Sequence, residues 1–176
     1  MATKTWTLDT AHSEISFKVR HLVISTVTGY FSDFEGNAAT PEDTFQGGQV
    51  ILRIAAASIN TNNQQRDSHL KGPDFFDAGQ YPEIMIKTTS IKQVSDDDYT
   101  LLADVTMKGI TKPVEFKGEY GGQTMDGYGN QKVGFEIIGK IDRKDFGLSW
   151  NAVLEGGGLT VSDEVKLIAN LQFIQS

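Results

Sequence analysis

Three histidines and a few acids set the limits on the chemistry this chain can perform. His12 lies in "DTAHSE" (9–14), His21 closes "EISFKVRH" (14–21), and His69 sits in "RDSHLKGPDFFDAGQYP" (66–82) with Asp67, Asp74 and Asp77 close by. A zinc site wants three or four ligands, and its usual local signal, two His four apart on a helix around a Glu, is missing. Asp67 and His69 are two apart in a segment that reads as helix, so they point in different directions. A hydrolase would set Ser68, Ser58 or Ser13 beside a histidine base. The chain has no G-x-S-x-G elbow, and His12 and Ser13, adjacent on an extended segment, face opposite sides. Asp9 and His12 read instead as hydrogen-bonding residues of a turn and a strand entry. The glycine-rich "YGGQ" and "LEGGGLT" precede no helix in a phosphate-binding pattern and read as turns or a loop. With no Cys, thiolate nucleophiles, disulfides and Cys-ligated zinc are excluded. The residue types call for no metal and no cofactor, and leave Asp67 with His69 as the one acid–base pair on which an enzymatic alternative could rest.

The elements that must position these residues are mostly strands. In "EISFKVRH", Ile15, Phe17, Val19 and His21 share one face against Ser16, Lys18 and Arg20, the alternation of a half-buried antiparallel strand. "QVILRIAAAS" sets Val50, Leu52, Ile54 and Ala56 against Ile51, Arg53 and Ala55. "KVGFEIIGKI" sets Val133, Phe135, Ile137 and Ile141 against Lys132, Glu136 and Lys140, with Ile138 an exception. "EVKLIANLQFIQ" sets Val165, Leu167, Ala169, Leu171 and Phe173 against Lys166, Asn170 and Gln172. Further strands are expected at 4–9, 28–38, 83–93, 98–108 and 113–120, separated by turn signals such as "SDDD" and "MDGYGN". So many one-sided strands must close or stack to protect their edges, and a single closed sheet of about eight strands suits them.

One region breaks the alternation. Thr61 and Gln64 form a T-x-x-Q capping box, Gly72 can cap the end and Pro73 stops continuation, so a short helix is expected over about 62–71 within a helical segment near 62–78. Its only strongly apolar residue is Leu70, so it must lie across an end or side of the sheet. Asp74 could then cap a second turn carrying Phe75 and Phe76 back towards the barrel.

The whole chain, 1–176, reads as one domain with a core. Sixteen basic against 23 acidic residues give a formal charge of -7, which repels a nucleic-acid backbone or an anionic membrane as a whole. No apolar run approaches the roughly 20 residues of a membrane span, so no stable membrane insertion is expected. The N-terminal residues carry no export signal, which points to the cytoplasm, or to the periplasm if a signal was removed.

Ten Phe and two Trp are spread along the strands, and Phe31, Phe34, Phe75, Phe76, Phe146 and Trp150 fall where strands should end. Together they could line a long apolar cavity. Such a cavity needs little polar chemistry, because each buried CH2 of a ligand contributes roughly 0.8 kcal/mol.

The motifs in order resemble the YceI-like family of lipocalin-like proteins. The resemblance rests on "LDTAHSEISFKVRHLVISTVTGYFSDFEG", on "ASINTNNQQRDSHLKGPDFFDAGQYPEI", on "VTMKGITKPVEF" and on "IDRKDFGLSWN", and it covers nearly the whole chain. It implies an all-β fold, an extended antiparallel eight-stranded barrel with a helix packed against it, whose interior holds a long isoprenoid or similar amphipathic, quinone-like lipid for transport, storage or stress protection. It implies no enzyme, and it implies homodimers. Carried onto this chain, the ligand-binding wall would include Phe17, Val19 and His21, then Phe31 and Phe34, then Phe75 and Phe76, then Phe146, Leu148 and Trp150. Leu70 and the strand residues Phe116, Phe135 and Ile137 complete the candidate set, with His21 as the contact for a polar head group. Ile86 stands where the family commonly has Phe, which bears on the cavity's width. Two alternatives stay open: a packed, ligand-free barrel acting as an interaction or stress-response module, and an enzyme acting on such a lipid through Asp67 and His69.

Overall fold

The computed structural model describes residues 3–22, 24–148 and 161–176. Eleven strand segments form one antiparallel sheet: β1 (Thr3–Leu8), β2 (Glu14–His21), β3 (Ser25–Phe31), β4 (Phe34–Pro41), β5 (Gln49–Ala55), β6 (Ile59–Asn60), β7 (Glu83–Gln93), β8 (Asp98–Met107), β9 (Ile110–Met125), β10 (Gln131–Asp142) and β11 (Val161–Gln175). The ring β1-β4-β5-β7-β8-β9-β10-β11 closes through pairing of β1 with β11, giving the expected eight-stranded barrel. Closure removes the edges that one-sided strands would otherwise expose.

Eleven segments make eight strands because three long strands are broken. The expected strand 28–38 is split at Ser32–Asp33 into β3 and β4. The turn Thr10–His12 separates β1 from β2, and Ala56–Ser58 separates β5 from β6. The breaks lie on neighbouring strands and are stitched across: Ser32 N–H donates to the Ser58 carbonyl (3.3 Å), Ala55 N–H to that of Asp33 (2.9 Å), and Asp9 N–H to that of Gln172 (2.8 Å). A crease therefore crosses the sheet. Beyond it β2 stays on β11 and β3 on β2, while the two-residue β6 pairs with β3 alone.

The edge left at β6 is covered by the chain from Thr61 to Pro82, whose α1 (Gln64–Lys71) packs against it. The helix starts differently from the capping-box expectation. Asn62 takes a left-handed turn at φ 60°, so the chain enters the helix two residues late, and the side chain of Asn63 caps it by accepting from Arg66 N–H (3.0 Å). Thr61 is buried and serves as a hub. Its N–H (2.9 Å) and hydroxyl (2.5 Å) donate to Asp67 Oδ1, while Arg66 donates to its hydroxyl and carbonyl (both 2.7 Å). Gly72 ends the helix in extended conformation, its N–H donating to the His69 carbonyl (3.1 Å). Asp74 meets His69 rather than a backbone N–H of the next turn.

At the far end of β9 the register slips. Tyr120 pairs with Phe135 and Gly122 with Gly134, leaving Gly121 as an extra residue. Gly122 sits at φ 117°, which a side chain would resist.

Candidate lipid tunnel

The inward faces enclose an elongated cavity of about 200 Å3. On β11 its wall runs from Val161 to Phe173, about 40 Å of strand at roughly 3.3 Å per residue. With the usual tilt of barrel strands, that is about 30 Å along the axis. So small a volume over such a length describes a narrow channel. On β8 the wall is Tyr99, Leu101, Ala103, Val105 and Met107, every second residue of the strand.

Aromatic rings cluster towards each end of the described wall. At one, the β4–β5 loop is mostly exposed, but Phe45 is half-buried and turns inward. Its ring lies 5.1 Å from Phe135, 5.4 Å from Tyr120, 6.2 Å from Trp6 and 6.3 Å from Tyr99. The loop is pinned to β7, with Gly47 N–H donating to the Ile91 carbonyl and Gln93 N–H to Gln46 Oε1 (both 3.0 Å). At the other end Phe17, Phe31 and Phe76 pack in series, 5.7 and 6.1 Å between ring centres, the last pair edge to face. The turn after α1 holds Phe76 there: its N–H donates to the Leu70 carbonyl (3.0 Å), and Lys108 Nζ reaches the carbonyl of Pro73 (3.2 Å).

Of the residues singled out in the sequence, Phe17, Val19, Phe31, Leu70, Phe75, Phe76, Phe116, Phe135, Ile137 and Leu148 lie on the wall, as does Ile86. Three others do not. His21 is half-buried at the last position of β2, paired with Ser25, past Val19 where the wall ends on that strand. Its partner on β11 is Val161, the last wall residue of that strand, so it sits at a rim, level with the end of the wall. Phe34 opens β4 at the crease, half-buried against the core. Phe146 is 1% exposed in the turn Arg143–Phe146, where it fills core beside the wall. Trp150 lies outside the described residues.

Asp67 and His69 are not brought together into an acid–base pair over the cavity. Asp67 is held by Thr61, and His69 Nε2 lies 2.9 Å from Asp74 Oδ2 with its ring edge to face on Phe75. Neither lines the tunnel. Among the described residues no three His, Asp or Glu side chains are arranged to hold a metal ion.

Sequence reasoning missed Trp6, Phe45, Tyr99, Tyr120 and Arg143. Phe45 had a signal, as the single aromatic in the polar loop "EDTFQGG". Arg143 had none, because a lone basic residue after a strand reads as surface. It is 3% exposed, borders the tunnel, and donates to the carbonyls of Leu148 and Ser162. Burial lowers its pKa from the ordinary value against the opposing charges of Asp163 and Asp142.

Residues 6–173 match the model of the YceI-like domain. The chain is 34% identical over 164 residues to Protein YceI of Escherichia coli, covering 93% of this chain and 82% of that protein. Among solved structures it is similar to the Campylobacter jejuni YCEI protein, with TM-score 0.77, 30% identity and 96% of both chains covered. A polyisoprenoid binding domain from Saccharophagus degradans shares the fold at TM-score 0.71 and 15% identity, over 97% of this chain and 98% of that one.

Proposed function

The chain belongs to the YceI-like family, and from that membership and the shape of its tunnel we propose that it binds a single long isoprenoid or similar amphipathic lipid lengthwise, for storage, transport or protection of a quinone-like molecule. The observation that carries the reading is the channel itself: about 30 Å long by strand geometry, lined almost wholly by aliphatic and aromatic side chains, with ring clusters towards both ends. The ligand class is the one named for the S. degradans domain.

The energetics suit an extended chain. A five-carbon isoprene unit moved from water into such a wall gains on the order of 3 kcal/mol before entropy losses. Several units in series give useful affinity without any strong polar contact. A filled interior would favour the ligand-free module instead; a cavity of about 200 Å3, bordered by small residues such as Ala103, supports the lipid reading. Protein purified without detergent, examined by native mass spectrometry and lipid extraction, should carry or take up a long-chain isoprenoid; protein that is empty and stays empty when offered one refutes the proposal.

A further inference from the structure

A lipid threaded through the tunnel has one polar end, and that end needs a partner in an otherwise apolar wall. Besides the Trp6 indole, the described wall residues with N–H or O–H side-chain groups are Ser16, Thr40, Thr88, Tyr99 and Arg143. Four of them are engaged within the protein. Ser16 donates to the Ile168 carbonyl (3.4 Å), Thr40 accepts from Trp6 Nε1 (3.0 Å), Thr88 accepts from Val50 N–H (2.8 Å), and Arg143 holds the carbonyls of Leu148 and Ser162. The Tyr99 hydroxyl has no hydrogen-bond partner among the described residues; the residue is 7% exposed, and its oxygen is not fully enclosed by protein.

Its surroundings suit a flat, uncharged group. The Tyr99 ring lies edge to face with Phe45 and Phe135, at 6.3 and 6.1 Å, and Tyr120 sits 5.4 Å from both. Burial, then the neighbouring Tyr120 and Asp97, hold the Tyr99 phenol above its ordinary pKa, so it remains a protonated donor. The loops around this end carry Glu42, Asp43, Asp96 and Asp97, which disfavour an anionic head. Phe45, on a loop fixed by one backbone hydrogen bond and one to the Gln46 side chain, is the ring that must move aside to admit the group.

We propose that the Phe45 end is the head-group end of the tunnel, where the Tyr99 hydroxyl donates a hydrogen bond to a carbonyl or hydroxyl oxygen on an uncharged polar end of the lipid. The assignment rests on the lipid-binding reading above and moves the head group away from His21, at the opposite end.

The test compares a long-tailed prenyl quinone with squalene, which offers the same hydrocarbon chemistry and no polar end, by equilibrium binding to the full chain. Wild type should favour the quinone. Tyr99→Phe removes one oxygen and should weaken quinone binding about three- to tenfold, the worth of one hydrogen bond, while squalene binding holds; His21→Ala should change neither. Equal quinone affinity in Tyr99→Phe, a parallel loss for both ligands, or a quinone-specific loss in His21→Ala overturns the head-group site. In those cases squalene uptake leaves lipid binding standing. Uptake of neither ligand by wild type refutes both. As a second measure, farnesol should bind more tightly than farnesyl diphosphate, and the reverse order overturns the uncharged head.

Discussion

Replacing Ala103 by Leu separates a tunnel from a packed core. Ala103 is 1% exposed, lies midway along β8 between Tyr99 in one aromatic cluster and Met107 near the other end, and is the smallest side chain in that wall series. Its strand neighbours Thr88 and Val114 fix the backbone on both sides, so a larger side chain must project along the channel. Leucine adds about three carbons and displaces about as many from a bound chain. At roughly 0.8 kcal/mol per carbon that is about 2.4 kcal/mol, on the order of a 50-fold loss in affinity. The ligand-free protein should tolerate the change, because the added atoms enter open space and find new contacts. If the interior were packed instead, overfilling would cost about 1–3 kcal/mol, and the thermal midpoint would fall by about 3 °C per kcal/mol in a chain of this size. Titration with squalene and thermal unfolding of the same preparations give both numbers. A lower midpoint with unchanged lipid uptake would refute the tunnel.

Three other outcomes are expected. Truncating Phe75 and Phe76 together to Ala should speed lipid release at least tenfold in a stopped-flow exchange assay, because Phe76 extends the Phe17–Phe31 series; His69→Ala, at a side chain that pairs with Asp74 and does not border the tunnel, should change release less than threefold. Gly29→Ala should destabilise by about 1–3 kcal/mol in urea unfolding, since the Phe17 ring occupies the place of the new Cβ. Burial alone would raise the Asp9 carboxyl, but hydrogen bonds from His12 and Lys132 outweigh it and hold the pKa below the usual 3.8. A lowered pKa contributes stability that is present above the unfolded value and lost as pH falls through the folded one. Asp9→Asn should therefore flatten the acid limb of the stability curve below about pH 4, and an unchanged limb would show that this cluster does not tie β1 to β10.

The strands were legible where burial is one-sided. β7 was expected and found at Glu83–Gln93, and β10 and β11 differ from the expected spans only at their ends. The split of 28–38 was not legible, because Ser32 and Asp33 are compatible with either a strand or a bend, and the cross-crease bonds that select the bend come from residues more than 20 positions away. The helix start was misplaced for a related reason. Thr61 satisfies the local capping pattern, yet the carboxylate of Asp67 and the guanidinium of Arg66 compete for it and win. Of the candidate wall, strand residues such as Phe17, Phe116 and Phe135 followed from alternation. His21 obeys the same alternation and still falls at a rim, since period two gives the side a residue faces and not how far the wall extends.

Composition and alternation by themselves determined one-sided antiparallel strands that must close or stack around an apolar inside, one polar helix that cannot enter the core, and a chain without metal-binding or nucleophile motifs. Those are properties of residue type and period, and they survive any detail of packing. Which rings meet was decided only in three dimensions. Phe45 reaches Trp6, Tyr120 and Phe135 because a loop, a bulge and two distant strands converge, and Tyr99 is the one polar wall residue whose side chain has no hydrogen-bond partner among the described residues. The interior of a barrel is a sum over all its strands, and no single stretch of chain contains it.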